Sequence, residues 1–352
     1  IIDQYSADAL RFSLMMLTAT GQDVYINAEK FELGRNFATK LWNAARFLQM
    51  HAKTLAPDAL APTFDAAQLS PDDRHILATL QTTVAACTEN LERFRFNDAA
   101  HDLYEFVWHA YCDWYVETSK EVLYGEDAVR KEQVLKVMQY SMGVCLRLLH
   151  PFMPFVTEEL WHAFDYGGED DTILFAAWPV PADPATLAAW GATPEVVAYV
   201  EGKHELIRSG RTLRADYSIA PARKLNYIVK PATMEIAARL QADEASLRTL
   251  LRAEQVTFDS AFIPSQALPS VVTPMGTIYM PIEGLIDVVA ERARISGALE
   301  KARSELQRVD GKLANQGFVA KAPPAVLEQQ HARRAELTET LAKLGHLIEM
   351  LG

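Results

Sequence analysis

Cysteine is scarce in this chain, with three among 352 residues. Cys87, Cys112 and Cys145 are odd in number and too widely spaced for a metal knuckle. That excludes a disulfide-stapled scaffold and predicts three buried thiols in a reducing, cytoplasmic setting. No apolar run reaches membrane-spanning length and no signal peptide opens the chain, so no membrane partner is expected. A glycine-rich phosphate loop, a metal-ligand cluster and a nucleophile–base pair are all missing, and no catalytic centre is expected within these residues. His150, Asp113, Glu158 and Glu159 are the remaining acid–base candidates. They fit helix ends better, because Thr157-Glu-Glu159 reads as a helix start where carboxylates face the positive end of the dipole. An initiating Met is also absent, and the opening Ile-Ile-Asp reads as the start of a piece of a longer polypeptide. Excess positive charge is missing too. The net charge is −12, which by itself argues against nucleic-acid binding. Its distribution is uneven: from Glu291 onward ten Lys/Arg outnumber eight Asp/Glu, a net of +2, which leaves −14 on the rest.

What is present is mostly helical pattern. Residues 6–19 predict a first helix, capped by Asp3 or Ser6 and stopped by Gly21. Residues 28–51 predict a second, with Gly34, Phe37, Leu41, Ala44 and Leu48 as its core stripe. Lys53 to Asp73 reads as a loop. Further helices are predicted over 71–93, from Asn97 or Asp98 to Leu123, over 127–149 with Pro151 as the stop, and over 156–164. The helix ending at Leu123 is expected to bury Leu103, Val107, Ala110, Trp114 and Val122. Long amphipathic helices joined by short breaks make a helical bundle. Gly167 to Pro194 reads as a connecting segment. Beyond it, helices over 195–213 and 234–252 alternate with strands over 224–230, 256–261, 270–273 and 277–281, which predicts a small α/β domain.

After residues 284–287, which lead into the last segment, the pattern becomes heptad. Ile295, Leu299, Ala302, Leu306, Val309 and Leu313 step by fours and threes, and Leu337, Leu341, Leu344, Ile348 and Leu351 repeat the rhythm. Residues 315–324 hold Gly317, Pro323 and Pro324 and break the helix. Two heptad runs around such a break predict an antiparallel helical hairpin.

Three constellations have the residue types of nucleic-acid contact. On the second helix, Asn36, Lys40, Asn43 and Phe47 share one face, bordered by Arg35 and Arg46. Amides and a cation suit base edges, an aromatic suits stacking, and Arg suits phosphate. The competing reading puts Phe47 and Trp42 in the core and the cations in solvent. On the hairpin, a turn near residues 318–322 would set Arg308 and Arg333 at similar height, with Arg303, Lys312 and Arg334 completing one basic patch. The competing reading is a solvated coiled coil whose cations pair with Glu305 and Glu336. In the small domain, Lys203, Arg208, Arg211 and Arg214 make a basic helix that Gly210 interrupts, and a solvated face is the expected reading.

Several runs together resemble the class I aminoacyl-tRNA synthetases. Asp3-Gln-Tyr-Ser-Ala-Asp-Ala-Leu-Arg-Phe12 resembles the helix that follows their KMSKS loop. Arg35-Asn-Phe-Ala-Thr-Lys-Leu-Trp-Asn-Ala-Ala-Arg-Phe47 resembles the first long helix of their anticodon-binding bundle. Phe96-Asn-Asp-Ala-Ala100, Cys112-Asp-Trp-Tyr-Val-Glu117 and the run from His150 to Trp161 are similar to the bundle of the valine, isoleucine and leucine enzymes. Lys312-Leu-Ala-Asn-Gln-Gly-Phe-Val-Ala-Lys-Ala-Pro323 is similar to the hairpin turn of the valyl-tRNA synthetase family.

The resemblance implies a mainly α fold. It places a connector after a catalytic domain over 1–27, the helical-bundle anticodon-binding domain over 28–180, a small α/β domain over 181–287 and an antiparallel coiled-coil arm over 288–352. It implies that Arg35, Asn36, Lys40, Asn43, Arg46 and Phe47 face the anticodon, and that Arg308, Lys312, Arg333 and Arg334 face the tRNA elbow. The implied partners are valine tRNA and catalytic and editing domains of the same polypeptide, in a monomer. ATP and Mg are implied for the full-length ligase and no cofactor for these residues. Two alternatives stay open: a protein-interaction module built on the coiled coil, and the corresponding part of an isoleucyl-tRNA synthetase.

Overall fold

The computed structural model describes residues 1–18, 26–52, 59–167, 171–220, 222–264, 268–282, 288–319 and 322–350. The predicted stop at Gly21, the lead at 284–287 and Leu351 lie outside these residues. The chain divides into two compact units, Ile1–Glu201 and Gly202–Gly352.

The first unit is a helical bundle. A short α1 (Ile2–Tyr5) ends at Ser6, whose side chain accepts the Ala9 N–H and caps α2 (Ala7–Leu17). A 3-10 turn over Ala28–Phe31 leads into α3 (Glu32–His51). All five predicted stripe residues of α3 are buried. Gly34 is where α2 and α3 meet most closely: a Cβ there would stand 2.4 Å from the Ala9 carbonyl oxygen, and its N–H donates to Ser13 Oγ at 3.0 Å. Phe12 stacks on Phe37 with ring centroids 4.5 Å apart, and Phe37 on Tyr104 at 5.4 Å. Phe12 and Met16 lie in the bundle's own core, so residues read as a connector contribute to the domain they lead into.

Helix α4 (Pro71–Glu92) opens with Pro71 and a reciprocal capping box between Ser70 and Asp73. Next, α5 (Phe96–Tyr104), a π-helical stretch (Glu105–Val116) and α6 (Glu117–Tyr124) run on without a break. This corrects the predicted face. Ala110, Trp114 and Val122 are only half-buried, while Phe106, Tyr111, Cys112, Tyr115, Val116, Ser119 and Leu123 join Leu103 and Val107 inside. Hydrogen bonding from i to i+5 widens each turn, so the buried stripe advances by fours where a 3.6-residue period was assumed.

Asp127 caps α7 (Ala128–Leu149), and α8 (Pro154–Ala163) follows. The α8 start corrects the Thr157-Glu-Glu159 expectation. Its orphan N–H groups on Phe155 and Val156 donate to Asp8 of α2, at 3.2 and 2.7 Å. Thr157 instead hydrogen-bonds the Met153 carbonyl and His150 Nδ1, and Glu158 accepts from the Thr172 hydroxyl. The stretch read as a connector is packed on the bundle. Trp178 Nε1 donates to Thr88 Oγ1 at 2.9 Å, and Trp190, just after α9 (Pro184–Ala189), meets Phe64 edge-on at 5.3 Å. The three thiols are free and buried, and burial pushes Cys87 and Cys112 up to about 12.

Helix α10 (Pro194–Asp216) leads to a four-stranded sheet of β1 (Leu225–Pro231), β2 (Ala253–Phe258), β3 (Ser270–Thr273) and β4 (Gly276–Tyr279). The strand order is β2-β1-β4-β3. Parallel β1 and β2 are joined through α11 (Met234–Ala242) and α12 (Glu244–Leu251), while β4 pairs antiparallel with β1 and β3. The single helix predicted over 234–252 is thus two, broken at Asp243, whose carboxylate turns to Lys203. Gly210 does not interrupt α10. A Cβ there would stand 2.6 Å from Leu251 Cδ2 and 2.9 Å from Ile278 Cδ1, so the glycine lets the helix sit close against the sheet layer.

The hairpin consists of α13 (Val288–Ala314), one turn of α14 (Gln316–Val319) and α15 (Pro324–Met350). Ala302, Val309 and Leu337 are buried between the long helices, flanked by Leu306, Leu313, Leu341 and Leu344. The break is built by Asn315, whose side chain accepts the N–H groups of Gly317 and Phe318 at 2.9 and 3.2 Å. That oxygen satisfies two orphan donors and so starts α14 inside the break.

Candidate nucleic-acid interface

The predicted stripe on α3 reaches the surface. Arg35, Asn36, Asn43 and Arg46 are exposed, while Lys40 and Phe47 are half-buried. Lys40 and Phe47 lie in the seam between α3 and the helix of residues 96–124. The Lys40 ammonium sits 4.0 Å over the Trp108 ring and 2.5 Å from Asp113 Oδ1, and His109 Nδ1 lies 3.1 Å from Asp113 Oδ2. Trp108 in turn stacks on Tyr104 at 5.3 Å. Lys40 is therefore a positioned cation with an acceptor beside it, and only part of its donor capacity is used. Asp113 takes part in this ion pair and caps no helix.

Phe47 is at the other end of the stripe. Its ring lies 4.8 Å from that of His51 and 6.5 Å from that of Tyr124, with Lys120 Nζ 5.8 Å from its centroid. His51 and Tyr124 belong to this group: His51 continues the stripe four residues past Phe47, a spacing the sequence already displays, whereas Tyr124 is distant in sequence and joins only through the packing of α6 beside α3. Trp42 was assigned to the core in the competing reading and is 37% exposed. It lies on the same side of α3 as Arg35, Thr39 and Arg46, at intervals of three and four that the sequence already displayed. Arg35 is shared with Glu32 at 3.4 Å and with the Tyr5 ring at 5.4 Å.

On the hairpin, the structure divides the predicted patch. A groove of about 720 Å³ between α13 and α15 is lined by Arg308, Lys312, Arg333 and Lys301, with Glu300 and Glu305. Within it Arg333 is tied down, donating to Glu305 at 2.8 and 3.1 Å and to Glu336 at 2.7 Å. Arg308 and Lys312 are exposed. Arg334 and Arg303 do not line this groove and are paired with Asp310 and Glu300, both at 2.7 Å. The competing reading thus describes Arg303, Arg333 and Arg334, whereas Arg308 and Lys312 stay turned to solvent.

The basic helix of the small domain is divided: Arg208 and Arg211 are exposed, as a solvated face requires, while Lys203 and Arg214 are buried. Lys203 is 0% exposed and pairs with Asp243 at 2.9 Å. Arg211 donates to the Leu250 carbonyl, and Arg214 donates to the carbonyls of Leu251 and Arg223. Leu250 and Leu251 end α12, where Arg252 turns left-handed with φ 51, while Arg223 lies just before β1. A helix end leaves four carbonyls without intrahelical partners, and guanidinium groups complete them.

Comparison with known proteins adds to this geometry. The family "Anticodon-binding domain of tRNA ligase" matches residues 73–229, and the family "Valyl tRNA synthetase tRNA binding arm" matches residues 287–352. The chain is 38% identical over 346 residues to a valine–tRNA ligase of Agrobacterium fabrum, covering 98% of this chain and 35% of the relative. It is 35% identical over 352 residues to that of Syntrophotalea carbinolica, covering 100% of this chain and 38% of the relative. The chain belongs to the valyl-tRNA synthetase family. It spans about a third of the length of the curated relatives it matches. The arm match at 287–352 coincides with α13 to α15, so the isoleucyl alternative is not favoured. The bundle match begins at residue 73 and takes in Asp113, Lys120 and Tyr124, while the α3 stripe precedes it. Among the described residues no helix is long and apolar enough to cross a membrane.

Proposed function

We propose that this chain is the tRNA-binding part of a valine-tRNA ligase, holding valine tRNA at two separated points. The α3 stripe and its seam read the anticodon, through Arg35, Asn36, Lys40, Asn43, Arg46 and Phe47. The hairpin packs on the tRNA elbow through Arg308 and Lys312, with Arg333 and Arg334 nearby. The activity served is ATP-dependent attachment of valine, with ATP and Mg²⁺ engaged by catalytic residues outside this chain. An editing domain of the same polypeptide, a monomeric state and a cytoplasmic location complete the reading. No chemical step is assigned to any residue here.

The observation that carries the reading is the co-occurrence, in one chain and in one order, of the bundle and arm matches with an exposed amide–cation–aromatic face and a cation-lined groove. Two contacts on linked modules raise affinity through effective concentration, and positioning of the acceptor end is what such binding contributes to catalysis. The test is binding of this chain to valine tRNA and to an isoleucine tRNA at low and moderate salt. Preferential, salt-sensitive binding of the valine tRNA is expected. Equal binding of both would remove anticodon identity from these residues, and no binding at low salt would return the chain to the interaction-module alternative.

A further inference from the structure

Tyr124, the last residue of α6, is 69% exposed, yet its ring packs against two others. The His51 ring meets it at 5.0 Å and 76°, and the Phe47 ring at 6.5 Å and 66°. Both contacts are edge-to-face, a geometry that fixes a ring without covering both its faces. Phe47 is the more enclosed partner, with His51 tilted against it and Lys120 near its face, and it packs partly against the bundle core. Charges of both signs surround the cluster: Lys120 lies one turn before Tyr124, Lys131 acts on His51, and exposed Arg46 precedes Phe47, while exposed Glu121, Glu126 and Asp127 flank Tyr124 along the chain. Lys120 is balanced by Glu117 at 2.6 Å, so its charge is already partly answered.

We propose that Tyr124 is a base-stacking residue for an unpaired nucleotide of the bound tRNA, oriented by His51 and supported from beneath by Phe47. This rests on the anticodon-end reading above and adds a residue that the α3 stripe alone does not contain. A flat, ordered, solvent-facing ring beside cations matches a nucleobase with its flanking phosphate, and stacking of this kind tolerates any base. A protein segment is the competing occupant, but an apolar docking surface would offer a wider uncharged area than one ring set among charged side chains.

The experiment uses this chain with valine tRNA carrying 2-aminopurine at each anticodon-loop position in turn, read by fluorescence quenching and by titration. Quenching at one position is expected with the parent chain and with Tyr124→Phe. Tyr124→Ala and Tyr124→Leu are expected to lose that quenching and to bind about tenfold more weakly, the scale of one lost base–aromatic stack. Arg308→Ala is expected to weaken binding with the quenching at saturation intact. Circular dichroism confirms that each variant is folded, and Tyr124→Leu keeps an apolar contact for His51 and Phe47. Parent-like affinity and quenching in folded Tyr124→Leu would overturn the proposal while leaving the proposed function standing. Absence of saturable tRNA binding by the parent chain would overturn both.

Discussion

Arg211 closes the end of α12 by donating twice to the carbonyl oxygen of Leu250, from Nε at 2.9 Å and from Nη2 at 2.8 Å. The guanidinium that sequence places in a basic stripe is thus part of the small domain's framework. Arg211→Ala should lower the thermal midpoint, through a stability loss of about 1–3 kcal/mol for hydrogen bonds from a charged group. It should leave the salt dependence of tRNA binding unchanged. A lowered salt slope with an unchanged midpoint would restore a nucleic-acid role to this helix.

Asp8 and α8 give a second framework test. Buried Asp8 accepts from Phe155 and Val156 and so caps a helix 147 residues further along the chain. Asp8→Ala should cost about 1–2 kcal/mol in denaturant unfolding, and Asp8→Asn, which keeps an acceptor, should cost less. Equal losses for the two substitutions would point to packing as the cause.

Arg308 and Arg333 line one groove but should not contribute equally. Arg333 is already held by Glu305 and Glu336, and breaking those bonds offsets what a phosphate would add. Arg308→Ala should therefore weaken valine tRNA binding more than Arg333→Ala, regardless of anticodon. It should lower the salt slope by about one phosphate contact. The reverse order in titrations at two salt concentrations would refute this.

Phe47→Ala should weaken binding of valine tRNA, with a smaller loss for a tRNA of altered anticodon. Equal losses for both would remove Phe47 from base readout and leave it only a part in packing.

Two histidines set a pH dependence. Burial, with a smaller contribution from Lys131, holds His51 below its ordinary 6.5, and burial does the same to His150. As pH falls through this region the unfolded chain takes up protons before the folded one does. Stability from these groups is therefore fully present above about 6.5 and lost as pH drops toward the lowered folded values. Melting curves from pH 8 to 5 should show a declining midpoint, with a shallower decline in the variant carrying both His51→Gln and His150→Gln. An unchanged slope would assign the pH dependence to other groups.

Much of this architecture was legible in the chain itself. Helix starts at Ser6, Ser70 and Asp127 follow from side-chain oxygens that satisfy nearby N–H groups, and the α3 core stripe follows from its period. The coiled-coil seam is equally local within each helix, since Ala302 and Val309 stand one heptad apart, as do Leu337 and Leu344. These features depend on residues within a few turns of one another.

Tertiary packing decided the rest. The buried face of residues 105–116 moved because a π-helical register is chosen by its neighbours, and no local spacing announces it. Whether a cation was bound inward or left for a ligand depended on carboxylates and carbonyls far away in sequence. Asp113 lies 73 residues from Lys40, Leu250 39 from Arg211, and Glu305 28 from Arg333. A side chain's charge and its period along a helix are properties of the sequence. What stands opposite it is a property of the fold, and that opposition separates Arg308 and Tyr124, turned outward, from Lys203 and Arg214, consumed within.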